Sequence, residues 1–169
     1  MTETLVVQER GRTIAYSFDD MLKYHGPGSP GGVANAFKVL QRALPQLSPG
    51  EPPQRREIFV RTSFGGPGAR DGFEAVTRAV SGERFAVDPA LARPERGRVL
   101  ERFVFEVGYR ERSVTLLLRE GFVTEEFIDL ARKEARSAEE EAHLDVLKAE
   151  LAERVMRAAA DDVYDLDDA

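Results

Sequence analysis

Apolar positions along this chain change period several times, and each change marks a predicted element. Leu5 to Ser17 carries apolar or β-prone residues on either side of Arg10-Gly11-Arg12, the pattern of a short hairpin. Ser17 then has the features of an N-cap, with Asp19 and Asp20 in the first turn of a short helix over Phe18 to Tyr24 that Gly26, Gly28 and Pro30 end. From Gly31, Val33, Phe37, Leu40 and Leu44 recur at helical spacing, and Pro45 is expected to stop that helix at about Leu44. A proline-rich connection over 45–55 leads to a strand, Glu57 to Thr62. A turn at Gly65 to Gly68 then opens a helix from about Ala69 to Val80, with Phe73, Val76 and Val80 on one face.

The second half alternates irregular and periodic stretches. After a segment containing Pro89 and Pro94, Leu100 to Tyr109 and Ser113 to Arg119 read as an antiparallel pair around Arg110-Glu111-Arg112. Thr124 to about Ala160 is helical. Its apolar stripe shifts phase, from 127, 131, 135, 138 and 142 to 144, 147, 151 and 155. Ser137 with Glu140 fits a capping box, so two helices or a kink near 137 are expected. Asp161 to Ala169 is acidic and is expected to trail over the surface. This order predicts a single α+β domain, a sheet packed by helices over residues 1–120, with a helical C-terminal arm (121–160) and an acidic tail (161–169).

Composition narrows the function classes. At 169 residues with 42% hydrophobic content the chain can bury a core of its own. No run of about 18 apolar residues occurs, and the amino terminus around Glu3 and Glu9 lacks the pattern of a signal peptide, so a cytoplasmic protein without membrane contact is expected. The absence of cysteine excludes disulfides, thiolate catalysis, iron–sulfur clusters and cysteine-ligated zinc. The net charge of −6 is uneven: residues 1–120 hold 18 Lys and Arg against 15 Asp and Glu, whereas 121–169 hold 6 against 15. Arg55-Arg56, Arg93 to Arg98 and Arg110 to Arg112 read as solvated loop positions, and no aromatic residues alternate with them, so no nucleic acid is expected as a partner.

The segment Phe18-Asp19-Asp20, then Tyr24-His25-Gly26-Pro27-Gly28-Ser29-Pro30-Gly31, followed by an amphipathic helix, resembles the first motif of the E-subunit family of formylmethanofuran dehydrogenase. That motif reads aromatic, His-Gly-His, any residue, Cys-Pro-Gly. Downstream, Asp71-Gly72-Phe73-Glu74-Ala75-Val76 lies over the family's Asp-Ala-Ile-Gln stretch, and the resemblance extends over roughly residues 17–120. On this alignment the family's second His is replaced by Pro27, its motif Cys by Ser29, two further Cys by Gly68 and Ala79, and its turn Lys by Glu83. His25 and Asp71 persist. The resemblance thus implies the family fold and pocket with a degraded metal site, a ligand-binding or accessory protein and a homodimer. No cofactor is expected; zinc or another divalent metal, held by His25 with Asp71 or an external molecule, is the alternative.

Ligand contacts are expected at His25, Ser29, Ser63, Arg70 and Asp71. His25 stands at a helix–loop junction, where an imidazole serves as ligand, proton carrier or structural donor; the structural role is the default reading. Ser29, His25 and Asp71 are also the residue types of a hydrolase triad, but no nucleophile elbow surrounds Ser29, and Pro30 removes a backbone N–H that an oxyanion hole could use. The Gly65-Gly66-Pro67-Gly68-Ala69-Arg70-Asp71-Gly72 stretch fails the dinucleotide fingerprint and reads as a tight turn, with Arg70 free to meet an anion. Two alternatives stand beside the ligand-binding reading: a small enzyme using His25 and Asp71 in acid–base chemistry on an organic substrate, and a structural interaction protein whose contact surface is the acidic arm.

Overall fold

The structure, a computed structural model, describes residues 2–167. It opens with the expected hairpin, β1 (Thr4–Glu9) against β2 (Arg12–Ser17), turned at Arg10 and Gly11 with φ of 54° and 78°. Two successive positive φ values match the right-handed twist of the strands they join. Ser17 caps α1 (Phe18–His25): its hydroxyl accepts the Asp20 N–H at 3.1 Å, and the Asp20 carboxylate accepts the Ser17 N–H at 2.9 Å.

The next helix, α2 (Pro30–Leu47), forms the axis of the domain. Twelve of its 18 residues are buried, so it is surrounded rather than amphipathic on one face. It passes the expected stop at Leu44. Pro45 sits in its last turn, where its ring costs a single backbone hydrogen bond, and Leu44 and Leu47 are buried on the core and hold that turn in place.

Around α2 the chain adds β3 (Ile58–Thr62), α3 (Pro67–Thr77), β4 (Phe85–Val87), β5 (Val104–Tyr109) and β6 (Arg112–Leu118). Then follow α4 (Glu125–Arg132), α5 (Ala138–Arg157), α6 (Ala160–Val163) and β7 (Tyr164–Asp167). The main sheet has the order β4-β3-β5-β6-β7, antiparallel except for the β3–β4 pair. The fold is α+β, as the pattern predicts. No helix among the described residues is long and apolar enough to cross a membrane.

The expected break near 137 is present. Ala135 takes a φ of 53°, and the Ser137–Glu140 capping box restarts the chain as α5. The stripe Leu144, Leu147, Leu151 and Val155 is buried, and Leu151 and Val155 belong to the same core as α2 and β5. The expectation that residues 161–169 trail over the surface is corrected. Val163 and Tyr164 are fully buried, and β7 pairs with β6 from Asp167 opposite Thr115 to Tyr164 opposite Leu118. Burying a valine and a tyrosine outweighs the polarity of the neighbouring aspartates. The last two residues of the expected tail lie outside the described residues.

Candidate functional site

The starts of α2 and α3 meet in backbone contact, and glycine makes the meeting feasible. A Cβ on Gly68 would stand 2.3 Å from the Ser29 carbonyl oxygen, one on Gly32 2.7 Å from the Ala69 nitrogen, and one on Gly72 2.8 Å from the Ala36 Cβ. The tight turn expected over Gly65 to Gly72 is therefore shorter than the sequence suggests. With Pro67 in the first turn, α3 already runs at Gly68, and its glycines serve close approach between two helices.

His25 and Asp71 flank this crossing. His25 closes α1, Asp71 lies in α3, and the imidazole Nδ1 stands 2.8 Å from the Asp71 Oδ2. A carboxylate only accepts, so Nδ1 is the donor of this bond. The His25 side chain is 8% exposed and that of Asp71 30%. Nε2 is buried, has no protein partner, and faces Gly28. The pair braces the end of α1 against α3 and encloses the loop 26–29 between them.

Beyond that loop lies a cavity of about 430 Å³. Its inner wall is the α2–α3 crossing, with Ser29, Gly31, Gly32 and Gly68. Phe64 and Phe103, stacked at 4.6 Å between centroids, form a second wall, and Phe127, Ile128, Leu144 and Leu151 of α4 and α5 close the third. At the back Asn35 is held on both sides: its Nδ2 donates to the Gly31 carbonyl at 2.8 Å, and its Oδ1 accepts from the Tyr164 hydroxyl at 2.5 Å. Burial pushes the Tyr164 phenol well above its ordinary value, so it stays protonated as that donor.

The five expected contact residues separate in space. Ser29 lines the cavity, at the start of α2, and its hydroxyl makes no capping bond. His25 and Asp71 form their pair on the far side of the loop. The Ser63 hydroxyl donates to the Arg102 carbonyl at 2.8 Å, tying the end of β3 to the segment before β5. Arg70 is exposed on α3 and is absent from the cavity lining. The basic side chains at the cavity are instead Arg102, Arg132, Arg136 and Lys148, and the alternating charges of 132–157 disguise the last three as a solvated helix face.

Arg55 corrects the reading of the arginine clusters. It is 6% exposed and donates to the Val76 and Ala75 carbonyls at 2.9 and 2.8 Å and to the Tyr16 hydroxyl at 2.9 Å. Arg84 donates to the Thr77 carbonyl at 3.1 Å. The C-terminal end of α3 is thus satisfied by two guanidinium groups, whereas its N-terminal end opens on the cavity.

The donor set does not fit the metal that the resemblance implies. His25 and Asp71, the motif residues that persist, bond each other, and the positions aligned with the family's cysteines hold Ser29, Gly68 and Ala79. Among the described residues no group of three or more His, Asp or Glu is arranged to hold a metal ion. Compared with known proteins, the chain matches no family model and no curated protein.

Proposed function

We propose that this protein is a ligand-binding or accessory protein, similar to the E-subunit family of formylmethanofuran dehydrogenase but without that family's metal ligands, and that it holds a small organic molecule in the cavity beside Ser29. One observation carries the reading: the segments on which the resemblance rests, the starts of α2 and α3, together frame a cavity of about 430 Å³. Small-molecule sites span about 300 to 1,000 Å³ and combine apolar walls with a few placed polar groups. The probe 8-anilinonaphthalene-1-sulfonate tests it. One-to-one fluorescence enhancement by the folded protein is expected, lost in Ala131→Trp, whose indole fills the cavity from α4. Unchanged binding by that variant overturns the reading. Stoichiometric zinc in protein purified without added metal, abolished by His25→Ala, would overturn the degraded-site part.

A second reading, acid–base enzymology, draws on the oriented His25 imidazole, whose bond to Asp71 through Nδ1 leaves Nε2 without a protein partner. It requires the loop 26–29 to move, because Nε2 is covered. Self-association, which the resemblance implies, would use a surface other than the α5 stripe, since Leu144, Leu147 and Leu151 are buried within the chain itself. A monomeric mass by light scattering at micromolar concentration removes it.

A further inference from the structure

The electrostatics of the cavity point to one class of occupant. Resting on the cavity reading above, we propose that the ligand is an amphipathic organic anion, a carboxylate or phosphomonoester on an aromatic or aliphatic body, whose charge is met by Arg102 and Lys148 with Arg132 beside them.

The charges around the cavity run against the acidity of the C-terminal segment. Residues 121–169 carry 15 acidic side chains and 6 basic ones, yet three of those six, Arg132, Arg136 and Lys148, line the cavity, and no acidic residue does. Elsewhere many basic side chains are matched, Arg61 with Asp88 and Glu106, Arg119 with Asp165 and Arg98 with Asp129, and those without a carboxylate partner among the described residues, such as Arg70 and Arg112, lie outside the lining of this cavity. At the cavity, Arg136 pairs with Glu141 at 2.9 Å and caps the carbonyl end of α4. Arg102, Arg132 and Lys148 have no carboxylate partner among the described residues. Lys148 donates to the Gly28 carbonyl at 3.1 Å and Arg132 to the Arg98 carbonyl at 3.5 Å. A neutral carbonyl leaves the positive charge of each uncompensated.

The apolar half of the ligand follows from the walls. The stacked rings of Phe64 and Phe103, with Phe127, Ile128, Leu144 and Leu151, offer a surface that a bare inorganic anion would leave unused. The cleft lined by Tyr16, Tyr24, Arg55 and Arg78 makes the contrast: it too holds arginines, but Asp20 and Glu74 line it with them and Arg55 stands 4.0 Å from the Glu9 carboxylate. A cavity with apolar walls and cations without carboxylate partners at its rim suits a molecule with one charged end and one apolar end, the apolar body burying against the walls while the charged end meets the cations.

Four probes test this on the full chain by calorimetric titration: 1-naphthoate, 1-naphthyl phosphate, 1-naphthol and inorganic phosphate. At least one naphthyl anion is expected to bind about tenfold or more tightly than 1-naphthol, with no saturable heat from inorganic phosphate; a preference between the two anions identifies the head group and supports the assignment. The Arg102→Ala, Lys148→Ala double variant, at side chains outside the core, is expected to lose about tenfold toward the preferred anion and nothing toward 1-naphthol, with its thermal unfolding unchanged. Equal affinity for 1-naphthol and the anions, or an anion preference that survives in the double variant, overturns the charge assignment and leaves the cavity reading standing. Inorganic phosphate binding as tightly as 1-naphthyl phosphate overturns the amphipathic assignment. Failure of every naphthyl compound to bind overturns both this proposal and the cavity reading.

Discussion

The five longer helices of this protein begin in two different ways. α1, α4 and α5 start from Ser17, Thr124 and Ser137, each accepting a backbone N–H on its hydroxyl, and each has acidic residues in the first turn. α2 and α3 start from Ser29 and Gly66 with a proline in the first turn, no side-chain cap and no acid. The capped helices supply their own termination, from local residues that complement the exposed N–H groups and the helix dipole. The uncapped pair is held by tertiary contact, glycine against backbone, and its bare N-terminal ends open on the basic cavity. A helix end without local satisfaction is where the chain departs from its own rules, and such departures concentrate at functional sites.

The comparison breaks most visibly at the crossing. Gly68→Ala places a methyl group against the Ser29 carbonyl, and a loss of about 2 kcal/mol or more in urea unfolding is expected, at the upper range of overpacking. A change within experimental error would show that α2 and α3 separate freely. His25→Ala removes the bond that braces α1 on α3, and about 1 to 2 kcal/mol is expected from the lost hydrogen bond and the Asp71 carboxylate left alone. The measurement is the shift of the urea midpoint at constant slope.

Two serines sharpen the contrast. Ser137→Ala removes a cap and is expected to cost about 1 kcal/mol. Ser29→Ala removes a hydroxyl that caps nothing, and a change within about 0.5 kcal/mol is expected in the same assay. Equal losses would mean that Ser29 caps α2 after all. The smallest effect concerns pH. Lys133, together with the Ser137 backbone N–H, lowers the Glu140 carboxyl from 4.5 to about 2. A depressed acid stabilises the fold above its unfolded value and loses that contribution as pH falls toward the folded value. Far-ultraviolet circular dichroism between pH 5 and 2 is therefore expected to show a small helical loss that Glu140→Gln lacks.

Much of the fold is legible in the sequence because its signals are local. Ser17 with Asp20 and Ser137 with Glu140 announce helix starts within four residues, and Leu144, Leu147, Leu151 and Val155 identify the face of α5 that is buried. β4 and β7 are not legible. Phe85–Val87 is too short to show a period, and Tyr164–Asp167 has two aspartates in four residues, so only its pairing with β6 makes it a strand. The end of α2 escapes the pattern because a proline in the last turn costs little when Leu47 is buried.

The candidate site divides along the same line. The helix–loop junction singles out His25 within a few residues, whereas Ser29 and Asp71 are singled out by the resemblance. That His25 pairs with Asp71 across 46 positions, while Ser29 turns to a cavity that neither reaches, is decided by the crossing of α2 and α3. The same holds for Arg102, Arg132 and Lys148, whose neighbours in the chain make them look like ordinary solvated charges. Electrostatic character depends on distance in space, and only the folded chain sets three cations around one apolar hollow and keeps the carboxylates out of its lining.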